Sequence, residues 1–421
     1  MNDATARAAE AVARASYGRL IAYLAAATRD VAAAEDALAD AFAVALTEWP
    51  RAGVPERPEA WLAAVARRKA IDTARRGRTR AAARDHIALL LEEREAGEDE
   101  PGAIPDERLA LMFVCAHPAI DPAVRAPLML QVVLGIDAAT IASAFLVAPS
   151  AMGQRLVRAK SRIRLAGIPF RAPATEDLPH RVETVLDAIY ATFSAGWVDP
   201  SGNEPRLRDL AEEAIFLGRL VAALLPDQTE ALGLLALMLY AEARRGARRT
   251  PAGDYVPMSE QKTDAWNGGL IDEAEELLRR ASLGRAIGRF QLEAAIQSAH
   301  VTRRVTGSVD WIAIEQLYDA LVRLTGSPVA AINHAVAVAE VSGAAEGLRR
   351  LDALATDPRL FEYQPYWAAR ADVLVRAGED DAAEAAYRRA IGLESDEGVR
   401  RFLEARRCAV SDRARGRSAS R

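Results

Sequence analysis

"GIDAATIASAFLVAPSAMGQRLVRAKSRIR", residues 135–164, reads as two short helices joined by a tight connection. In the first, Asp137 is placed to cap, and Ile141, Ala142 and Phe145 face inward. Val147 and Ala148 make the connection. Pro149 suits the first position of the second helix, where its missing N–H would be unpaired anyway. At 100° per residue, Met152, Leu156, Ala159 and Ile163 fall within about 60° of one another. Ser150, Gln154, Arg155, Arg158 and Arg162 occupy the other side, and Val157 lies off the apolar stripe. Between Gln154 and Arg164 there are five basic side chains and no acid. A charge run is more often a solvated helix face than a binding site. Here the preceding short helix and the polar residues at the front of the second favour a helix-turn-helix. Its second helix would enter the major groove, with its first residues near base edges and its arginines on guanine or phosphate.

The chain around it has the opposite sign: 421 residues with a net charge of −5. With 27% charged and 51% apolar residues it has the composition of an ordinary soluble globular protein. Aromatics are only 6%, while Ala and Arg are abundant, which predicts an all-α fold. Cys115 and Cys408 stand far apart without a CxxC, so neither a thiolate zinc site nor a disulfide framework is expected. The first residues have no signal-peptide core, and ALGLLALMLYA (231–241) is about half of the ~20 residues a membrane span needs. It reads as a buried helix, and the expectation is a cytoplasmic protein that engages no membrane. P-loop, HExxH, GxSxG and GxGxxG signatures are missing, and the five histidines are scattered singly. No catalytic residue, metal or cofactor is expected, and the function is one of binding.

A second basic element runs from Arg67 to Arg84, with eight Lys/Arg against one acid, Asp72. Trp61, Arg68 and Arg75 recur at sevens and share a stripe, beside Arg67, Lys69 and Arg76. A tryptophan among arginines suits stacking on unpaired bases together with phosphate contact. The helix before it carries Leu38, Phe42, Leu46 and Trp49 close to one stripe, with Asp36 and Asp40 on another and Glu35 beside them. PRAGVPERPEA (50–60), with three prolines, reads as the loop between the two.

The expected organisation is a small helical domain at 1–85, a linker at 86–104, a helix-turn-helix domain at 105–170, a helical-repeat extension at 178–410 and a disordered tail at 411–421. In the extension, Trp367, Ala371, Leu374, Gly378, Ala383, Tyr387 and Ala390 match tetratricopeptide spacing. A weaker echo, Val336, Ala339, Gly343, Leu348 and Ala355, sits 35 residues earlier.

In order, AAAEDALADAF, AWLAAVARRKAIDTARR and IASAFLVAPSAMGQRLVRAKSRIR resemble the extracytoplasmic-function sigma factors of bacterial RNA polymerase, in the sigma-70 superfamily. The first two are similar to the family's region 2 and the third to its region 4. The long tail resembles a subgroup with a tetratricopeptide-like extension. The resemblance implies core RNA polymerase and promoter DNA as partners. Glu35, Asp36 and Asp40 would dock on the clamp of the β′ subunit, and region 4 on the β flap. The loop 50–59 would capture a flipped base of the −10 element. Trp61, Arg67, Arg68, Lys69, Arg75 and Arg76 would support strand opening, helped by Asp72. Ser150, Gln154, Arg155, Arg158 and Arg162 would read the −35 element. A ligand or protein partner of the extension is left open by the residues. The alternative is a helix-turn-helix regulator with a helical sensor domain that is not a polymerase subunit.

Overall fold

The computed structural model describes residues 3–76, 107–145, 147–170, 178–197, 205–284 and 287–419. Every regular element among them is helical, apart from one isolated bridge between Arg249 and Tyr255, so the fold is all-α. Among the described residues, no helix is long and apolar enough to cross a membrane. The expected linker 86–104 lies outside the described residues.

The chain divides into two units. The first comprises residues 1–197 and 209–220. It holds α1 (Asp3–Thr28), α2 (Val31–Ala52), α3 (Pro58–Arg76), α4 (Arg108–Cys115), α5 (Pro122–Leu134), α6 (Ala138–Ala144), α7 (Pro149–Leu165) and α8 (Leu178–Trp197), and part of α9 (Pro205–Leu224). The boundary expected at 178 therefore falls inside this unit. α8 packs on α4 and α5, and the Arg181 guanidinium donates to the Phe113 carbonyl at 2.7 Å.

Helix α1 is the spine of the unit. Its residues Leu20–Ala27 are all buried, as a helix apolar on every side must be. It packs on α2 and α3, and also on α4 and α5. The closest approach is at Gly18, where an added Cβ would lie 1.8 Å from the Val133 carbonyl oxygen of α5. Only a glycine lets the two backbones meet there.

Local signals set the helix ends. Asp30 caps α2 by accepting from the amides of Ala32 and Ala33. Helix α2 runs on through Pro50 to Ala52 and stops at Gly53, whose φ of 87° few other residues tolerate. Pro58 then opens α3. The loop expected over residues 50–60 is accordingly shorter: Pro50 is taken into the last turn of α2 at the cost of one hydrogen bond, and Pro58 stands where its missing N–H would be unpaired anyway. The expected stripe of α2 is also corrected. Leu38 and Trp49 are buried, Leu46 is 40% exposed, and the buried positions between are Ala34, Ala37, Ala41 and Ala45. Small side chains let α2 lie close to its neighbours.

The second unit comprises residues 198–208 and 221–421. It contains α10 (Thr229–Ala243), α11 (Gly268–Ala281), α12 (Arg289–Val301), α13 (Arg303–Thr306), α14 (Trp311–Thr325), α15 (Pro328–Ser342), α16 (Ala344–Leu354), α17 (Gln364–Ala377), α18 (Asp380–Leu393) and α19 (Glu397–Ala419). Each helix packs mainly on its sequence neighbours, α10 on α11 and α12, then pair by pair to α19. The apolar run 231–241 is the inside of α10, buried from Ala231 to Tyr240. Ala371, Leu374, Ala383, Tyr387 and Ala390 form one core with Leu403 and Val410, and Trp367 packs against it. The tail expected to be disordered from 411 is helical as far as Ala419. Val410, 2% exposed, anchors that last helix to the core.

His300 is half-buried in this unit, edge-on to Trp311 at 5.6 Å. Burial, then the charges of Arg244 and Arg303, hold its imidazole down at about 4.

Both packings predict a measurable effect on stability. Gly18→Ala should destabilise the first unit by about 1–3 kcal/mol, the usual cost of forcing atoms into a filled contact. Urea unfolding followed in that unit measures it, and a neutral substitution refutes the close approach. His300 binds a proton more readily when unfolded, at its ordinary value near 6.5. Its contribution is therefore present above pH 6.5 and lost as pH falls towards 4, by at most about 3 kcal/mol. His300→Gln should flatten the pH dependence of melting across that window. An unchanged slope shows that His300 is not the group responsible.

Candidate nucleic-acid interface

The region around the quoted stretch is built as its spacing predicts. The Asp137 carboxylate accepts from the amides of Ala139 and Thr140, each at 3.0 Å, and from the Thr140 hydroxyl at 2.6 Å. Ile141 and Ala142 are fully buried. Pro149 opens α7, and Met152, Leu156, Ala159 and Ile163 form its buried stripe.

The remaining surface of α7 has two charged faces. Arg155, Arg158 and Arg162 line a cavity of about 430 Å³, facing Ile120, Asp121, Ala123 and Val124 at the start of α5. Arg158 and Arg162 are exposed and Arg155 half-buried, with Ser150 and Gln154 exposed at the front of the helix. The Arg158 Nε also donates to the Gln154 carbonyl at 3.3 Å, which ties the two residues together. The other face carries Lys160 and Arg164, one turn apart, and is turned towards α2. Lys160 Nζ lies 2.7 Å from the Glu35 carboxylate, with side chains only 12% and 18% exposed. Arg164 reaches Asp30 at 3.4 Å. Val157, 61% exposed, projects near this second face.

Glu35 therefore differs from its two neighbours. Asp36 and Asp40 are exposed on α2, whereas Glu35 points into the unit, where burial first and then the Glu35 charge raise the pKa values of Tyr17 and Cys115. Burial pushes the Glu35 carboxyl up, against the opposing pull of Lys160. Sequence reading placed Glu35 with the outward acids because its partner stands 125 residues away, where no local spacing reveals it.

On α3, Trp61 is half-buried and meets Trp49 of α2 edge-on, with ring centroids 5.5 Å apart. Arg68 and Asp72 are exposed, and Arg67 and Lys69 are half-buried. Arg75 and Arg76 close the helix, with their side chains outside the described residues. The structure thus places α7 and the described part of the Arg67–Arg84 element, which ends at Arg76 on α3, on separate helices of one unit, and residues 77–84 lie outside the described residues. Among the described residues, no group of three or more His, Cys, Asp or Glu could hold a metal ion.

Residues 12–80, which span α2, α3 and the part of α1 from residue 12 on, match the family described as sigma-70 region 2. An uncharacterized protein of Rhizobium meliloti (strain 1021) is 36% identical over 385 residues, covering 90% of each chain. This chain belongs to the sigma-70 family. Residues 181–282 match a further family, described as a family of unknown function (DUF6596). No solved structure matches the chain. Membership implies core RNA polymerase and promoter DNA as the sigma factor's partners, with a role in polymerase binding and promoter recognition.

The Lys160–Glu35 pair gives the site's own test. Lys160→Met strands a carboxylate in a largely buried position and should cost about 2–4 kcal/mol, as removing one partner of a buried pair does. Adding Glu35→Gln to that variant should return much of the loss. A double-mutant cycle in urea measures the coupling, and a coupling of zero removes the pair from the account.

Proposed function

We propose that the chain is an extracytoplasmic-function sigma factor whose α7 reads the −35 element and whose α3 engages the −10 element. The observation that carries this reading is the row Ser150, Gln154, Arg155, Arg158 and Arg162. It stands on the second helix of a capped helix-turn-helix, in a chain whose first helices match sigma-70 region 2. Polar groups at the front of such a helix suit base edges, and the arginines behind them suit guanine or phosphate. Trp61, Arg67, Arg68, Lys69, Arg75 and Arg76 support melted DNA by stacking and charge. Asp36 and Asp40 dock on the β′ clamp, and the helix-turn-helix half docks on the β flap. Glu35 joins the clamp contact only once Lys160 has released it. The tetratricopeptide-like extension acts on this machinery in cis, a role supported by its covalent attachment and its size.

Promoter geometry adds a step. Elements centred roughly 25 base pairs apart lie about 85 Å apart along straight DNA. A compact unit of some 200 residues has a radius of gyration of about 17 Å. α3 and α7, held in one such unit, separate before both elements are engaged. Breaking the contacts of Glu35 with Lys160 and of Asp30 with Arg164 is part of that opening. Binding energy from polymerase and DNA offsets its cost.

Run-off transcription with purified core polymerase tests the reading. Arg155→Ala with Arg158→Ala should reduce promoter-specific transcript at least about tenfold, the loss of one or two base or phosphate contacts, while polymerase binding persists. Asp36→Lys with Asp40→Lys should give the converse, weakened pull-down of core enzyme. Promoter selectivity that survives loss of both arginines puts the wrong face of α7 in the groove.

A further inference from the structure

A different cluster of charge lies inside the second unit. Arg244 follows the last turn of α10 and is only 7% exposed. Its Nη2 donates to the Gln297 side-chain oxygen at 2.6 Å, and its Nε is buried without a hydrogen-bond partner among the described residues. Arg303 begins α13 close by. It donates to the carbonyls of Ser259, Met258 and Gln261, and its guanidinium stands 5.0 Å from the ring centroid of Trp266. The amide of Asn267 donates to the Ala243 carbonyl, which brings Trp266 beside Arg244. Trp266 Nε1 and Gln261 Oε1 are also buried without a partner among the described residues.

The charges around this corner are unevenly matched. Arg245 meets Glu242 at 2.7 Å, and Arg249 meets Asp396. Neither Arg244 nor Arg303 has a carboxylate within ion-pair distance among the described residues. Their closest bonds go to neutral oxygens. A guanidinium stays protonated at any physiological pH, so it cannot relieve its burial by losing a proton, as a lysine would. Burial, followed by Arg248 and Arg303, acts against its charge and lowers Arg244 to about 10. His300 stays neutral beside both arginines and supplies no balancing charge. A buried charge is ordinarily paired, and buried donors are ordinarily satisfied.

We infer that this corner of the extension is a binding site for a small oxyanion, of the phosphate or carboxylate class, held by Arg244 with the Trp266 N–H as a further donor. A guanidinium matches the oxygen spacing of such ions, and charge-assisted hydrogen bonds are the strong ones. The ligand would supply the negative charge that no carboxylate within ion-pair distance of Arg244 or Arg303 supplies. The site is independent of the DNA-facing arginines and of the proposed sigma activity.

Calorimetric titration of the full chain with inorganic phosphate, at ionic strength fixed with chloride, tests it. Wild type should show a saturable site, and its melting temperature should rise in phosphate over chloride. Arg244→Met should abolish that site, whereas Arg279→Met, at an exposed arginine paired with Glu276, should keep it. Phosphate bound on the arginines of α7 is unaffected by Arg244→Met and is the component that remains. If Arg244→Met does not fold, Trp266→Phe, which removes the N–H and keeps the ring, should weaken the site severalfold. Acetate in place of phosphate separates the two ligand sources: saturation by acetate assigns the site to carboxylates, and saturation by phosphate alone to phosphates. Neither anion saturating the wild type, or titrations of Arg244→Met and Trp266→Phe that overlay the wild type, overturns the proposal.

Discussion

The first unit is organised around one segment of α1, Leu20–Ala27, that is buried on all sides. The segment leaves no solvent face, and Gly18 lets α5 approach to backbone contact. The region 2 helices α2 and α3 take one side of α1, and α4 and α5 take another. The half that carries the helix-turn-helix is therefore held through α1 to the half that matches sigma-70 region 2. Leu111, Met112, Leu128, Met129 and Leu130 are all within 1% of complete burial. Apolar surface of that kind is costly to leave in water. Parting the halves requires a new partner for whatever surface is uncovered, and polymerase is the partner that membership of the family supplies.

The charge pattern of α7 follows from the same arrangement. One helix carries three faces: an apolar stripe for the core, a row of arginines beside the cavity and a Lys160–Arg164 edge towards α2. The last edge accounts for two of the five basic residues that stand together without an acid in the local sequence. The acids of Lys160 and Arg164 are Glu35 and Asp30, remote in the chain and adjacent in space. The two contacts differ in strength. Lys160 and Glu35 are withdrawn from water, whereas Arg164 is 59% exposed, so its pair with Asp30 is screened and worth little.

What could be read from sequence was whatever local spacing controls. The Asp137 cap, Pro149 at the start of α7 and the Met152–Ile163 stripe all depend on residues within a few turns of one another. The same holds for Ala371, Leu374, Ala383, Tyr387 and Ala390, which recur at helical spacing and pack into one core. The inward turn of Glu35, the close approach at Gly18 and the packing of α8 on α4 and α5 were not legible. Each is a meeting of distant segments, and a single glycine or glutamate carries no mark of its future neighbour. The extent of α2 was misread for another reason. Pro50 suggests a break, since a proline removes one hydrogen bond and crowds the carbonyl four residues before it, yet α2 carries it in the final turn, two residues before Ala52 ends the helix.

The extension makes a similar point about composition. Its helices are rich in alanine, so neighbours pack closely and polar groups trapped between them have few ways out. Several of its arginines avoid this by pairing along an exposed helix face, as Arg279 does with Glu276 and Arg349 with Glu346. Others bridge distant segments, as Arg249 does with Asp396. Arg303 takes a third course and directs its fork at three backbone carbonyls, fixing the irregular segment between α10 and α11. That clasp holds the backbone at Gln261 and sets the Arg303 guanidinium over Trp266, whose neighbour Asn267 bonds the carbonyl before Arg244. A helical array could bury an apolar side chain at position 244 at less cost, since breaking even with charge inside a protein demands full satisfaction of its hydrogen bonds. Retaining an arginine there, within a segment ordered by a second arginine, is what a binding site requires and what packing alone does not.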